Sequence, residues 1–173
     1  MNNPTTRLII SGLALALVGF VSPALDDEAA SAAPATKATP FLMFQGGVAA
    51  EAMSFYVELF EDGRIVADER YGKDNPMGKE GTILRGSFQV GGQTVRCTDS
   101  AIKHDFDHTA SFSMFVDCKD LDELKRLAEA LGEDGMVYMP IGDYGFSKQF
   151  TWVEDRFGIS WQLSLPFDDD PEW

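Results

Sequence analysis

From Thr39 onward, short runs of period two and two runs of period 3.6 follow one another in the same order twice. TPFLMFQ (39–45) predicts a strand, and AAEAMSFYVELF (49–60) predicts a helix, because Ala52, Phe55, Tyr56 and Leu59 recur on one face. Three strand-like runs follow: GRIVADERYG, TILRGSFQVGG and QTVRCTDS. SFSMFVDC (111–118) opens the second copy. Its helix starts at Asp120-Leu-Asp-Glu123, which has capping-box spacing. Leu121, Leu124, Leu127, Ala128 and Leu131 form the apolar stripe of that helix, and Gly132 is placed to end it. GMVYMPIG, KQFTWVED and GISWQLSL complete the copy. The expectation is an α+β fold in which two βαβββ modules form a curled mixed sheet around a concave cavity. Each helix buries its stripe on one face and leaves the other open.

Gly91-Gly92 and Asp155 to Gly158 are suitable turns for the last hairpin of each module. In the final strand Ile159, Trp161, Leu163 and Leu165 form an apolar row, and Ser160, Gln162 and Ser164 a polar row expected to line the cavity. In the fifth strand Phe112, Met114 and Val116 turn toward the helix, and Ser111, Ser113 and Phe115 away from it. In the fourth strand alternation puts Val95 and Cys97 in the cavity and Arg96 on the helix side, where an arginine has no evident reason to be. Trp161 is expected in the core and Trp152 on the cavity wall.

The 38 residues before this repeat are of another kind. Arg7, an apolar run from Leu8 to Val21 and the small residues of Ser22-Pro23-Ala24 have the form of a secretory signal over 1–24. The run is short for a bilayer span, which takes about 20 apolar residues, so no stable membrane insertion is expected after processing. No cysteine follows it, which excludes a lipid-anchored lipoprotein. Residues 25–38, rich in Ala, Ser and Pro, read as a flexible linker; 39–166 form the domain, and 167–173 an acidic tail. The expected location is periplasmic or secreted. Two cysteines in an oxidising compartment invite a disulfide, but the strand alternation points Cys97 and Cys118 to opposite faces, leaving Cys97 as a small buried or pocket-lining thiol.

Charge changes the picture in one respect. With 14 Lys plus Arg against 28 Asp plus Glu, the 173-residue chain carries a formal charge of -14, which repels a phosphate backbone and excludes nucleic acid as a partner. A hydrophobic content of 45% is enough to close a core.

The phrases TPFLMFQG, EAMSFYVELF, RCTDSAIKHDF, FVDC and FSKQFTWVEDRFGISWQL resemble the PhnB-like branch of the vicinal oxygen chelate superfamily, the glyoxalase and bleomycin-resistance fold. Members of this branch often carry the label 3-demethylubiquinone-9 3-methyltransferase. The resemblance covers nearly all of Thr39 to Pro166. Metal-dependent relatives hold a divalent ion with His, Glu or Gln from the first, fourth, fifth and eighth strands. The matching positions here are Phe41, Cys97, Ser111 and Gln162. Only Gln162 is a familiar oxygen ligand, so no metal and no other cofactor is expected. Gly46-Gly47 is too little to make a methyl-donor site. Relatives commonly close the cavity by pairing two chains or two halves side by side, so the resemblance, together with the free sheet edges, implies a homodimer, with a monomer as the competing state.

Chemistry is expected in the cavity. Cys97, Ser111, Ser113, Trp152 and Gln162 are the expected ligand-pocket residues, with Gln162 able to donate and accept. Cys97, Asp99 and His104 are the catalytic candidates, Asp99 having as its alternative a cap on the turn at Ser100. His104-Asp-Phe-Asp-His108 has metal-ligand residue types, but it lies in the loop between the modules without a third ligand cluster beside it. The reading is an exported protein with a metal-free small-molecule pocket and unknown substrate, either an enzyme or a binding protein. The alternatives are a metal-dependent lyase or isomerase of the glyoxalase kind, or a non-catalytic binding protein.

Overall fold

In the computed structural model, which describes residues 38–169, the two repeats form two four-stranded mixed sheets, each with one helix. The first contains β1 (Phe41–Phe44), α1 (Ala49–Leu59), β2 (Arg64–Arg70), β3 (Ile83–Val90) and β4 (Gln93–Asp99). The second contains β5 (Ser113–Asp117), α2 (Leu121–Gly132), β6 (Met136–Gly142), β7 (Gln149–Glu154) and β8 (Ser160–Leu165). Strand orders are β1-β4-β3-β2 and β5-β8-β7-β6, so the expected βαβββ unit occurs twice. In each sheet the last strand returns parallel to the first, which puts β4 and β8 inside their sheets with a neighbour on both sides. The expected signal segment, most of the expected linker and the last four residues of the expected tail lie outside the described residues. Among the described residues no helix is long and apolar enough to cross a membrane.

The two helices are anchored differently. At the start of α2, Asp120 Oδ1 accepts from the Glu123 N–H at 2.8 Å, while Glu123 Oε2 accepts from the Lys119 N–H at 2.9 Å. This is the local cap that the spacing predicts. Val48, at the start of α1, offers no side-chain cap. The missing acceptor comes from across the sheet. Asp99 Oδ1 takes the Ala49 N–H at 3.0 Å and Oδ2 the Ile83 N–H at 2.8 Å. Gly132 is the last residue of α2, and the left-handed position that turns the chain is Asp134 (φ 57).

Ala49, Ala52, Met53 and Tyr56 of α1, and Leu124, Leu127 and Leu131 of α2, are buried in a core that also takes Phe88, Val95, Trp161 and Leu163. Each large apolar side chain so buried stabilises the fold by about 1.5–3 kcal/mol. The modules meet at the β7–β8 turn. The Asp155 carboxylate, 3% exposed, accepts from Tyr56 Oη and Trp161 Nε1, both at 2.8 Å, and from the N–H groups of Phe157 and Ile159. Burial raises the Asp155 carboxyl above the usual range, and burial together with Asp155 raises the Tyr56 phenol. Arg156 lies over the Phe55 ring, 4.0 Å from its centroid, adding a cation–π contact between the modules.

Both cysteines are free and buried. They belong to different sheets, Cys97 on β4 and Cys118 just after β5, and both are part of the hydrophobic core. Burial pushes each thiol up to about 12.

Candidate functional site

Each sheet has one face under its helix and one face open. On the second sheet, Gln162 stands opposite Phe115 on one side and Trp152 on the other. Cross-strand partners share a face, so Ser160, Gln162, Ser164, Ser113, Phe115, Phe150 and Trp152 occupy the open side while Trp161 and Leu163 fill the core, as the alternation predicts. Ser160 is the hub beneath them. Its Oγ accepts from Trp152 Nε1 at 2.8 Å and lies 2.6 Å from Ser113 Oγ. Gln162 is half-buried, and its amide makes no hydrogen bond among the described residues. Aromatic rings continue outward from it: Tyr138 lies 5.0 Å from Trp152, and Phe146 lies 4.9 Å from Phe150, between ring centroids.

The first sheet corrects the expected parity of β4. Val95, Cys97 and Asp99 lie under α1, and Arg96 and Thr98 lie on the open face opposite Phe41 and Met43. A Cβ on Gly86 would stand 2.5 Å from Cys97 Sγ and 2.7 Å from Met53 Sδ of α1, which places the thiol on the helix side. The reason is the turn: Gly91 (φ 53) and Gly92 (φ 76) make a two-residue link that pairs Val90 with Gln93 and Phe88 with Val95, fixing odd-numbered β4 residues in the core. Cys97 is therefore not a pocket residue. Arg96 is exposed and has its explanation in the open face.

Asp99 is 2% exposed and both carboxylate oxygens are engaged by backbone N–H groups, so of its two expected roles the structural one holds, and it caps α1 rather than the turn at Ser100. His104 is placed differently. It lines a cleft of about 540 Å³ with Met43, Tyr71, Lys79, Thr98 and Ile102, formed where the inter-module connector folds over the open face, and Asp99 borders the same cleft. Its Nε2 lies 2.8 Å from Ser100 Oγ, and Gln45 holds the loop by accepting from the His104 N–H at 2.8 Å and donating to the Phe106 carbonyl at 2.9 Å. Gln45 is a positioning residue that local sequence patterns do not reveal, since its partners lie about 60 residues away. Ser111 is exposed before β5 and pairs with Thr109 Oγ1 at 2.6 Å, short of the expected cavity position. The cleft around His104 includes none of Ser113, Trp152 or Gln162, which meet instead on the open face of the second sheet, while Cys97 and Ser111 join neither group.

His108 separates from His104. Its ring meets Phe44 edge-on at 5.4 Å, Nε2 is buried without a hydrogen-bond partner, and burial lowers its pKa.

Two open-faced βαβββ modules, each with one helix on the covered side, define the glyoxalase and bleomycin-resistance fold of the vicinal oxygen chelate superfamily. A genomically encoded fosfomycin resistance protein of Listeria monocytogenes shares this fold at 10% identity, with a TM-score of 0.51 over 78% of this chain and 94% of that one. Within the superfamily, the chain belongs to the family described as 3-demethylubiquinone-9 3-methyltransferase, the PhnB-like branch, whose model matches residues 36–164. It is similar to a PhnB protein of Bacillus cereus at 44% identity, covering 75% of this chain and 99% of that chain with a TM-score of 0.72. A Pseudomonas aeruginosa protein is similar at 27% identity, with a TM-score of 0.66 over 77% and 99% of the two chains. No curated protein matches the chain in sequence.

The groups that such names imply can be tested against the residues. Among the described residues no three His, Cys, Asp or Glu side chains come together as a metal-binding group. Of the four positions matched to metal ligands, Cys97 is in the core, Ser111 is in a loop, Phe41 is apolar, and Gln162 alone offers an oxygen on the open face. A divalent ion needs more charge and more ligands than that. A methyl-donor cradle does not fit either. Gly46-Gly47 leads into α1, but the first N–H of that helix is already taken by Asp99.

Proposed function

We propose that the protein is an exported PhnB-like protein that binds a small molecule on the open sheet faces, without a metal, as a homodimer. The observation that carries this reading is Gln162, an unpartnered amide between Phe115 and Trp152 at the centre of the second sheet. A half-buried donor and acceptor with no partner among the described residues is suited to a polar group brought by a ligand. A catalytic role, on this reading, falls to His104, because Cys97 is buried under α1 and both carboxylate oxygens of Asp99 are engaged by backbone N–H groups. Whether the bound molecule is transformed depends on that side chain.

Pairing is supported by the apolar surface that one chain leaves open. Phe41 is 58% exposed and Phe146 55%, and Phe115, Tyr138 and Tyr144 are also uncovered. A second copy roofing these faces turns them into an enclosed cavity. Export rests on the apolar run 8–21 with Ser22 and Ala24 behind it.

Thermal-shift screening of the purified protein against metabolites tests the reading. A ligand that raises the melting temperature in the parent but not in Gln162→Leu supports it, and hits that are indifferent to Gln162 contradict it. Zinc, nickel and manganese are expected to leave the melting temperature unchanged; a metal-dependent rise favours the lyase or isomerase alternative. Light scattering is expected to give a dimer mass at micromolar concentration, and N-terminal sequencing of exported material a start near Leu25.

A further inference from the structure

The strands of the two sheets differ in their charged side chains. Those of the first contain Arg64, Arg70, Arg85 and Arg96 beside Asp68, Glu69 and Asp99; those of the second contain no lysine or arginine and carry Asp117 and Glu154. Lys148, just before β7, is ion-paired with Asp168. The open face of the second sheet is therefore without a free cation along its strands. It instead carries two aromatic groups, one around Trp152 and one around the buried Phe150. Tyr138 and Trp152 lie 5.0 Å apart, Tyr144 and Phe146 both approach Phe150 (6.1 and 4.9 Å), and Phe115 closes the set at 6.5 Å from Phe150. Trp152 is held in place by its bond to Ser160, and Tyr138 by donating to Glu154 at 2.6 Å.

Resting on the small-molecule reading above, we propose that this face takes a planar aromatic ligand that is neutral or cationic, stacked on Trp152 with its polar edge read by Gln162. Rings fixed by hydrogen bonds offer flat area at little entropic cost. The carboxylate beside Tyr138 and the absence of basic residues along these strands select against an anion and favour a cation. One amide, with both a donor and an acceptor, suits a heterocycle edge better than a sugar, whose several hydroxyls would need several partners.

The test is isothermal calorimetry on the full chain with three probes: 9-aminoacridine as planar cation, anthracene-9-carboxylate as planar anion and cyclohexylammonium as cation without an aromatic ring. The expected result is saturable binding of 9-aminoacridine at one site per chain. Binding of the anthracene acid is expected to be at least tenfold weaker, and that of cyclohexylammonium undetectable. Trp152→Leu, which leaves the net charge unchanged, is expected to weaken 9-aminoacridine at least tenfold, and Gln162→Leu severalfold; melting curves check that each variant folds. Should Trp152→Leu be unfolded, Gln162→Leu and the probe order decide. Tighter binding of the anion, or parent-like binding by both variants, overturns the proposal. No saturable binding of any probe also overturns it and points to a second copy packed directly on the rings. A metabolite that binds through Gln162 while the acridine does not leaves the small-molecule reading standing and removes this one; the absence of both removes both.

Discussion

The two modules share one topology and stabilise it by different means. In the second, α2 is started by its own neighbours, Asp120 and Glu123, and the inner sheet pair opposite Trp161 is filled by Val153. In the first, α1 has no cap in its own segment, takes one from Asp99 fifty residues on, and faces a sheet where Gly86 leaves room for Cys97 and Met53. The second module is thus specified locally and the first by contacts between residues far apart in the sequence. The difference extends to the open faces, arginine-bearing in one and aromatic in the other. A duplicated fold can keep its hydrogen-bond ladder while its two faces diverge, because the open row of each strand is free to change without touching the core row.

Substitutions break this comparison in a definite order. Asp155 serves both modules, so Asp155→Ala is expected to cost the most, roughly 4 kcal/mol by chemical denaturation, since it strands Tyr56 Oη, Trp161 Nε1 and two backbone donors. Asp99→Ala strands two buried backbone donors, and about 3 kcal/mol is expected. Gly86→Ala forces a Cβ against two sulfur atoms and is expected to cost about 2 kcal/mol, less if Met53 swings away. The local cap is the weakest link in energy: Asp120→Ala should cost about 1 kcal/mol. An Asp120→Ala cost equal to that of Asp99→Ala would remove the distinction between local and distant capping.

The smallest effect is on pH dependence. Burial lowers the folded-state pKa of His108 from its ordinary value of 6.5, while Asp107, Asp155 and Glu154 oppose the shift. A depressed folded pKa means that the stabilising contribution is complete above the unfolded value and is lost as pH falls through the folded one. Stability should therefore decline as pH drops below about 6.5, and His108→Gln should flatten that part of the curve in denaturation experiments run from pH 7.5 to 5.

The element order, the α2 cap, the polar row of β8 and the core place of Trp161 were legible in the sequence, because period and capping are local signals. The parity of β4 was not. Alternation tells which residues share a face, but which face is buried depends on the register set by Gly91-Gly92, and the core row there holds only Val95, Cys97 and Asp99, a set too polar to mark itself as buried. The role of Asp99 was equally hidden, since its donors lie on α1 and β3. Ser111 missed the cavity because β5 begins two residues later, at Ser113. His104 reached a cleft as the connector reading allowed, but the residue that holds it there, Gln45, is joined to it only by the fold.

The central claim is that a small molecule is met by the open row of the second sheet. It is tested most directly by two-dimensional NMR of the uniformly 15N-labelled chain, titrated with the tightest ligand from the metabolite screen. The account predicts that the Gln162 side-chain amide pair, the Trp152 indole N–H and the backbone amides of Ser113–Asp117, Gln149–Glu154 and Ser160–Leu165 shift first and most. Shifts centred instead on the helix faces, or on the junction around Phe44, His108 and Arg156, would contradict it.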